Sequence, residues 1–249
     1  MTSADRQDRL AELAASLDTV TRRIGEACAA VSRDPAGMTL IAVTKTFPVS
    51  DIMLLSELGV ADVGENKDQE AAPKHAACVA AGVTLRWHFI GQLQVNKAAS
   101  VASYADMVHS VDRARLAAAL GRRASERGRV LQCLVQVSLD PGGERADPAE
   151  RDSGRGGAPQ AAVPELAGQI AATPGLELAG VMGVAPLGEP ARPAYARLRE
   201  IAETVRAAHP GARVISAGMS GDLGDAIAEG ATHVRIGTAL LGGRRAFVR

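Results

Sequence analysis

Lys45 ends the apolar run "LIAVTKTFP" (Leu40–Pro48), which Pro48 then stops. A lysine is rarely placed at the end of a buried strand unless it is paired or chemically employed. Between low-dielectric walls an amine gives up its proton more readily than in water, and the neutral amine adds to a carbonyl to form a Schiff base. The competing reading is a lysine whose stem lies along the strand end while its ammonium reaches water. Two glycine-rich stretches near the other end of the chain carry a second chemistry: "SAGMSGD" (Ser216–Asp222) and "RIGTALLGG" (Arg235–Gly243). Each reads as a turn opening a helix, where backbone N–H groups and the helix dipole favour an anion. Gly218, Gly221 and Gly237 permit close backbone approach, and Ser220 and Thr238 add hydroxyl donors. Glycine also simply ends strands, so either turn alone says little.

The elements that must position these residues follow a rhythm. Short apolar segments near Thr39–Thr44, Ala61–Val63, Leu85–Phe89, Met107–His109, Val130–Val137, Leu176–Val181, Ala212–Ser216 and His233–Ile236 read as strands. Helical patterns follow Val49, Asn66, Leu93, Asp112, Ala161, Pro190, Gly221 and Thr238. This alternation demands a parallel sheet. Its count matches a single (β/α)8 TIM-type barrel, with a doubly wound open sheet as the competing fold. Leu10, Leu13, Leu17, Val20, Ile24 and Val31 give an extra amphipathic N-terminal helix within residues 1–35, ended by Asp34-Pro35. One domain over residues 1–249 is expected, interrupted by a Gly-, Pro-, Asp- and Arg-rich stretch, Leu139–Pro159, that reads as a long mobile loop and a candidate lid.

A barrel puts its site at the C-terminal strand ends, and phosphate commonly binds after strands seven and eight. Closure makes strand one the neighbour of strand eight, so Lys45 and the Gly237-Thr238 turn should meet. An amine beside a phosphate cradle describes a pyridoxal phosphate site; it equally describes a Schiff-base aldolase acting on a sugar phosphate. Arg235 stands two residues before Gly237 and could face a pyridine nitrogen. Its permanent charge would oppose ring protonation and make the ring a poor electron sink. A salt bridge at the barrel mouth is the other reading of Arg235.

Composition narrows the partners. Lys+Arg and Asp+Glu are both 28, so no global basic field draws nucleic acid or an anionic membrane. The basic end "GGRRAFVR" reads as a solvated tail. Aromatic residues are 2%, too few for base-stacking platforms. Cys28, Cys78 and Cys133 are widely spaced, without a Cys-x-x-Cys pair, which fits a reducing compartment. "MTSADRQDRLAEL" is charged where a signal peptide needs an apolar block, and no window approaches the ~18 apolar residues of a span. A cytoplasmic protein is expected, with no nucleic-acid or membrane partner.

The motifs "AVTKTFP", "VGENKDQE", "WHFIGQLQVNK", "HSVDR", "GVMGVAP", "SAGMSGD" and "VRIGTALLGG", in this order, resemble the pyridoxal phosphate homeostasis protein family, related to the N-terminal domain of alanine racemase. The likeness runs from about Thr39 to Gly243. It implies a single barrel with an extra N-terminal helix. It implies pyridoxal 5'-phosphate as cofactor, an internal aldimine on Lys45, and phosphate contacts from Ser220, Gly237 and Thr238 with backbone help from Met219. It also puts Arg235 opposite the pyridine nitrogen and Asn66 on the pocket wall, and leaves His88 structural or supporting. His75, His109, His209 and His233 gain no role from it. The implied function is to carry and buffer the cofactor, as a monomer without robust catalysis, with apoenzymes that need the cofactor as candidate recipients. The alternative is an amino-acid racemase or Schiff-base lyase. Related racemases supply a tyrosine opposite the lysine from a further domain; here the only tyrosines, Tyr104 and Tyr195, fall in helical segments. The likeness breaks at Leu139–Pro159, where "SGRGG" (Ser153–Gly157) stands in for a shorter Ser/Lys-Gly element and leaves the role of Arg155 open.

Overall fold

The computed structural model describes residues 2–140 and 156–243. It is a closed barrel of parallel strands in chain order: β1 (Thr39–Val43), β2 (Asp62–Glu65), β3 (Arg86–Phe89), β4 (Met107–Val111), β5 (Leu131–Val137), β6 (Leu176–Gly183), β7 (Val214–Ser216) and β8 (His233–Ile236). The open-sheet alternative is excluded by β1 pairing with both β2 and β8. The barrel is filled from within by Met107, Leu134, Ala179 and Met182, with Val184 and Val214 against them.

The outer helices are α2 (Val49–Glu57), α3 (Asp68–Ala80), α4 (Ala98–Tyr104), α5 (Ala114–Ser125), α6 (Val163–Ala172), α7 (Ala191–Ala208), α8 (Leu223–Ala228) and α9 (Thr238–Leu241). Their apolar faces cover the outward side chains of the strands, which explains why the strands read as nearly continuous apolar runs.

The extra helix α1 (Ser3–Ala29) starts on a capping box. Thr2 Oγ1 accepts from the Asp5 N–H, and Asp5 Oδ2 accepts from the Thr2 N–H. Its buried stripe, Leu13, Val20, Ile24 and Cys28, packs with Ala42, Leu223, Val234, Ile236 and Leu240 behind β1 and β8. Each such aliphatic side chain contributes roughly 1.5–3 kcal/mol on burial. Among the described residues no helix is long and apolar enough to cross a membrane.

The expected loop Leu139–Pro159 is anchored at both ends. Leu139 and Ala158 are buried, and Ala158 bridges Val137 beside β5. Residues 141–155, with Arg155 and most of "SGRGG", lie outside the described residues, as does the basic tail from residue 244 onward.

Candidate functional site

Strands β1 and β8 pair Thr39 with His233, Leu40 with Val234, Ile41 with Arg235 and Ala42 with Ile236. The next step brings Val43 beside Gly237, where a side chain would meet Val43 Cβ at 3.5 Å. Lys45 follows two residues on, half-buried in a turn. Among the described residues it makes no hydrogen bond or ion pair, so its amine is uncommitted.

Its two neighbours are held instead. Thr44 Oγ1 donates to Glu65 Oε1 at 2.7 Å, and the Thr44 carbonyl accepts from Lys74 Nζ at 3.0 Å. The Thr46 N–H donates to Glu70 Oε2 at 2.9 Å. Thr46 sits at φ 68°, a left-handed conformation that a β-branched residue seldom adopts and that costs ~1–3 kcal/mol. The clamp from β2 and α3 therefore holds a strained turn with Lys45 at its centre. Lys74 Nζ also pairs with Glu65 Oε1 at 2.7 Å. Burial nevertheless pushes the Glu65 carboxyl above its usual range, against the pull of Lys74 and Thr44. Glu65 and Glu70 lie within the "VGENKDQE" motif, but their joining with Lys74 had no local signal beyond the i,i+4 spacing of Glu70 and Lys74.

The two glycine turns, expected from the sequence to cradle an anion, lie together at the same end of the barrel. Gly218 has φ 89°, and a Cβ there would lie 2.7 Å from Ala226 Cβ. Asp222 shapes the same turn: Oδ1 accepts from the Met219 N–H at 2.6 Å, and Oδ2 accepts from the Tyr195 hydroxyl at 2.8 Å. The second turn meets the first where the Ala239 N–H approaches Ser220 Oγ at 3.4 Å. From outside, α1 braces both: Arg23 donates to the Ser220 carbonyl at 2.9 Å, and Arg9 donates to the Leu241 carbonyl at 3.0 Å. Gly221 has open space where a side chain would point. Gly237 meets only ordinary contacts, so neither glycine is required by the protein's own packing. The expectation of strong helix dipoles needs correction. α8 and α9 are short, and α8 begins only after Asp222, so any anion there would rest on individual N–H groups and hydroxyls.

Arg235 lies beneath these turns, 4% exposed. Its Nη1 donates to Ser216 Oγ at 2.7 Å and its Nη2 to the Gly183 carbonyl at 3.0 Å. No carboxylate pairs with it among the described residues. Asn66 follows β2, half-buried, at the level of Lys45 because the Thr44 N–H bonds to the Gly64 carbonyl. Its backbone is pressed against Gly91, where a Cβ would fall 2.1 Å from the Asn66 carbonyl oxygen. Lys45, Asn66, Met219, Ser220, Arg235, Gly237 and Thr238 thus share one mouth of the barrel.

The histidines divide between the outside of the barrel and its core. His75 packs outside the barrel on the edge of Trp87, whereas His88 and His109 are buried within it, hydrogen-bonded to each other. No cluster of His, Cys, Asp and Glu suited to a metal occurs among the described residues.

The model of the alanine racemase N-terminal domain family matches residues 9–245. A pyridoxal phosphate homeostasis protein of Mycobacterium tuberculosis is 39% identical over 252 residues, covering 96% of this chain and 95% of that protein. The protein of that name from Escherichia coli is 36% identical over 242 residues, covering 94% and 97%. The solved structure of PipY from Synechococcus elongatus, with PLP bound, superposes with a TM-score of 0.74 at 34% identity, covering 88% of this chain and 100% of that one. The chain belongs to the pyridoxal phosphate homeostasis protein family, built on the alanine racemase N-terminal domain fold.

Proposed function

We propose that this protein holds pyridoxal 5'-phosphate reversibly at the C-terminal mouth of its barrel, and that it carries and buffers the cofactor in the cytoplasm for apoenzymes that need it. The observation that supports this most is the β1–β8 register, which carries the strand end just before Lys45 alongside Gly237, next to the strand that bears Arg235. The residues fit the group: an amine for an aldehyde, N–H and hydroxyl donors for a phosphate, and a cation for a ring nitrogen. When bound, pyridoxal phosphate supplies an aldehyde that condenses with an amine and a ring that can withdraw electrons.

The chain's own residues bias that chemistry towards storage. Lys45 is the amine that takes the aldehyde, held in place by its clamped neighbours. Ser220, Thr238 and the backbone of Gly237 take the phosphate, Met219 shapes the turn with its N–H already given to Asp222 Oδ1, and Asn66 borders the pocket. Arg235 stays charged and disfavours a proton on the ring nitrogen, which weakens electron withdrawal. Two-faced proton abstraction needs an acid opposite the lysine. Tyr195 is committed to Asp222, and its phenol is pushed up by burial and by Asp222. Tyr104 is packed with His75 and Trp87 outside the barrel. This argues against the racemase alternative.

Titrating pyridoxal phosphate into the ligand-free protein tests the reading. A yellow protein with visible absorbance, bleached by Lys45→Ala, is expected, together with negligible racemisation of alanine or serine. A colourless wild type that resists reconstitution overturns cofactor carriage; rapid racemisation favours the enzyme.

A further inference from the structure

The barrel interior carries a line of polar side chains that cofactor binding alone does not call for. Asp62 opens β2 at the N-terminal mouth, the end opposite Lys45, beside a cavity of about 470 Å³ also lined by Leu17, Thr39 and Arg86. Its Oδ1 lies 2.8 Å from His88 Nε2. His88 Nδ1 lies 2.8 Å from His109 Nε2, and His109 Nδ1 lies 2.9 Å from Ser216 Oγ. Ser216 Oγ accepts from Arg235 Nη1 at 2.7 Å. All five residues are buried. They come from β2, β3, β4, β7 and β8.

The hydrogen-bond inventory narrows the direction to two patterns, one of them with both rings neutral. Arginine can only donate and an ionised carboxylate can only accept. Because Arg235 donates to Ser216 Oγ, the serine hydroxyl hydrogen is free to turn to His109 Nδ1. His109 must then carry its proton on Nε2 and give it to His88 Nδ1. His88 in turn carries its proton on Nε2 and gives it to Asp62. Every donor meets an acceptor when each ring carries its proton on Nε2 alone; the one other complete pattern places protons on both His88 nitrogens and on His109 Nδ1. Burial, with His88, Arg235 and His233 nearby, holds His109 well below the ordinary histidine range. Hydrogen bonds from His88 and Arg86 outweigh burial and hold Asp62 below the usual carboxylate range. Buried polar groups are tolerable when each is satisfied and costly otherwise, so one misplaced proton would set two donors face to face and release the chain.

We infer that Arg235, Ser216, His109, His88 and Asp62 form a single directional hydrogen-bond chain through the barrel, and that its last four members are positioning residues which aim the Arg235 guanidinium at the cofactor site. The inference rests on the cofactor reading above for what Arg235 faces, while the chain itself is a property of the ligand-free protein. The chain makes the grip on the cofactor depend on a carboxylate at the opposite mouth.

Two measurements test this. The first is nitrogen-15 NMR of histidine-labelled, ligand-free protein at neutral pH, with His88 assigned from His88→Gln. His88 and His109 should both show protonated Nε2 and bare Nδ1. A protonated Nδ1 on either ring overturns the direction. The second is absorbance titration with pyridoxal phosphate. Asp62→Asn keeps the shape but removes the charge that fixes the tautomer, an exchange known to favour the wrong tautomer at a buried Asp–His pair. It should change the His88 nitrogen shifts and weaken cofactor binding about 10-fold, as should Ser216→Ala, the scale expected for a lost bond to a charged group. The double variant should bind no more weakly than the worse single one, because both act on one chain, and Ser216→Thr should restore affinity through its hydroxyl. Wild-type affinity in Asp62→Asn, or full additivity, overturns the proposal. A wild type that takes up no pyridoxal phosphate sinks the cofactor reading instead, and the tautomers of the ligand-free protein then judge the chain by themselves.

Discussion

Replacing Lys74 by methionine removes the ammonium that closes on Glu65 Oε1 at 2.7 Å and on the Thr44 carbonyl at 3.0 Å. The Glu65 side chain is 1% exposed and that of Lys74 12%. The variant leaves a buried carboxyl with Thr44 Oγ1 as its remaining hydrogen-bond donor among the described residues. Breaking a buried pair from one side costs about 3–5 kcal/mol, a large part of the ~5–15 kcal/mol that holds a typical domain together. Burial already raises the Glu65 carboxyl above its usual range, and Lys74 is the main opposing influence. Without Lys74 the folded pKa rises further. The folded variant then binds a proton more tightly than the unfolded chain at any pH between the unfolded and folded values. Its stability therefore falls as pH rises through that window. Urea unfolding should show a deficit of about 3 kcal/mol or more at pH 8 and a smaller one at pH 5. Adding Glu65→Gln should recover most of the loss at pH 8, since no charge is then stranded. Cofactor affinity should remain impaired in the double variant, because the Thr44 carbonyl still lacks its donor. A Lys74→Met protein within about 1 kcal/mol of wild type, the scale of a surface pair, would refute the buried-clamp argument, as would a deficit that is equal at both pH values.

Gly218→Ala should cost about 2–4 kcal/mol in chemical denaturation and weaken cofactor uptake, since the new methyl meets Ala226 Cβ at 2.7 Å in a left-handed backbone; unchanged binding would remove that turn from the cradle. Arg9→Met should strand Asp51, its partner at 2.7 Å, and lower the melting temperature by roughly 6–12 °C; a shift under about 2 °C would show that α1 is not braced through this pair. His233 is held down to about 4, chiefly by burial and the neighbouring His88. The unfolded chain therefore binds the extra proton between pH 6.5 and about 4, so this residue's contribution to stability is lost as pH falls through that window. His233→Gln should flatten the acid limb of the stability profile, and an unaltered limb would contradict the assignment.

The barrel was legible because its strands are covered on the outside and filled on the inside, which writes each as a short apolar block between helical periods. Lys45, Ser220, Arg235, Gly237 and Thr238 were legible because each lies in a local stretch whose chemistry is visible, and because closure joins first and last strands. Arg235 donates to Ser216 Oγ and the Gly183 carbonyl, neither of which its local sequence signalled. The supports were not legible. Arg23 meets Ser220 across 197 residues and His109 meets Ser216 across 107, and no local spacing signals either contact. Glu65 looked like part of a motif ending a strand, yet it turns outward to Lys74, behind the turn that carries Lys45. The helix dipoles were over-read, because glycine-rich turns announce the entry to a helix but not its length.

Borohydride reduction of the protein mixed with pyridoxal phosphate, followed by digestion and mass mapping, tests the central claim most directly. The account predicts a stoichiometric pyridoxyl group on the peptide containing Lys45, and none there in Lys45→Ala. Label spread over surface lysines, or concentrated on Lys67, Lys74 or Lys97 instead, would contradict it.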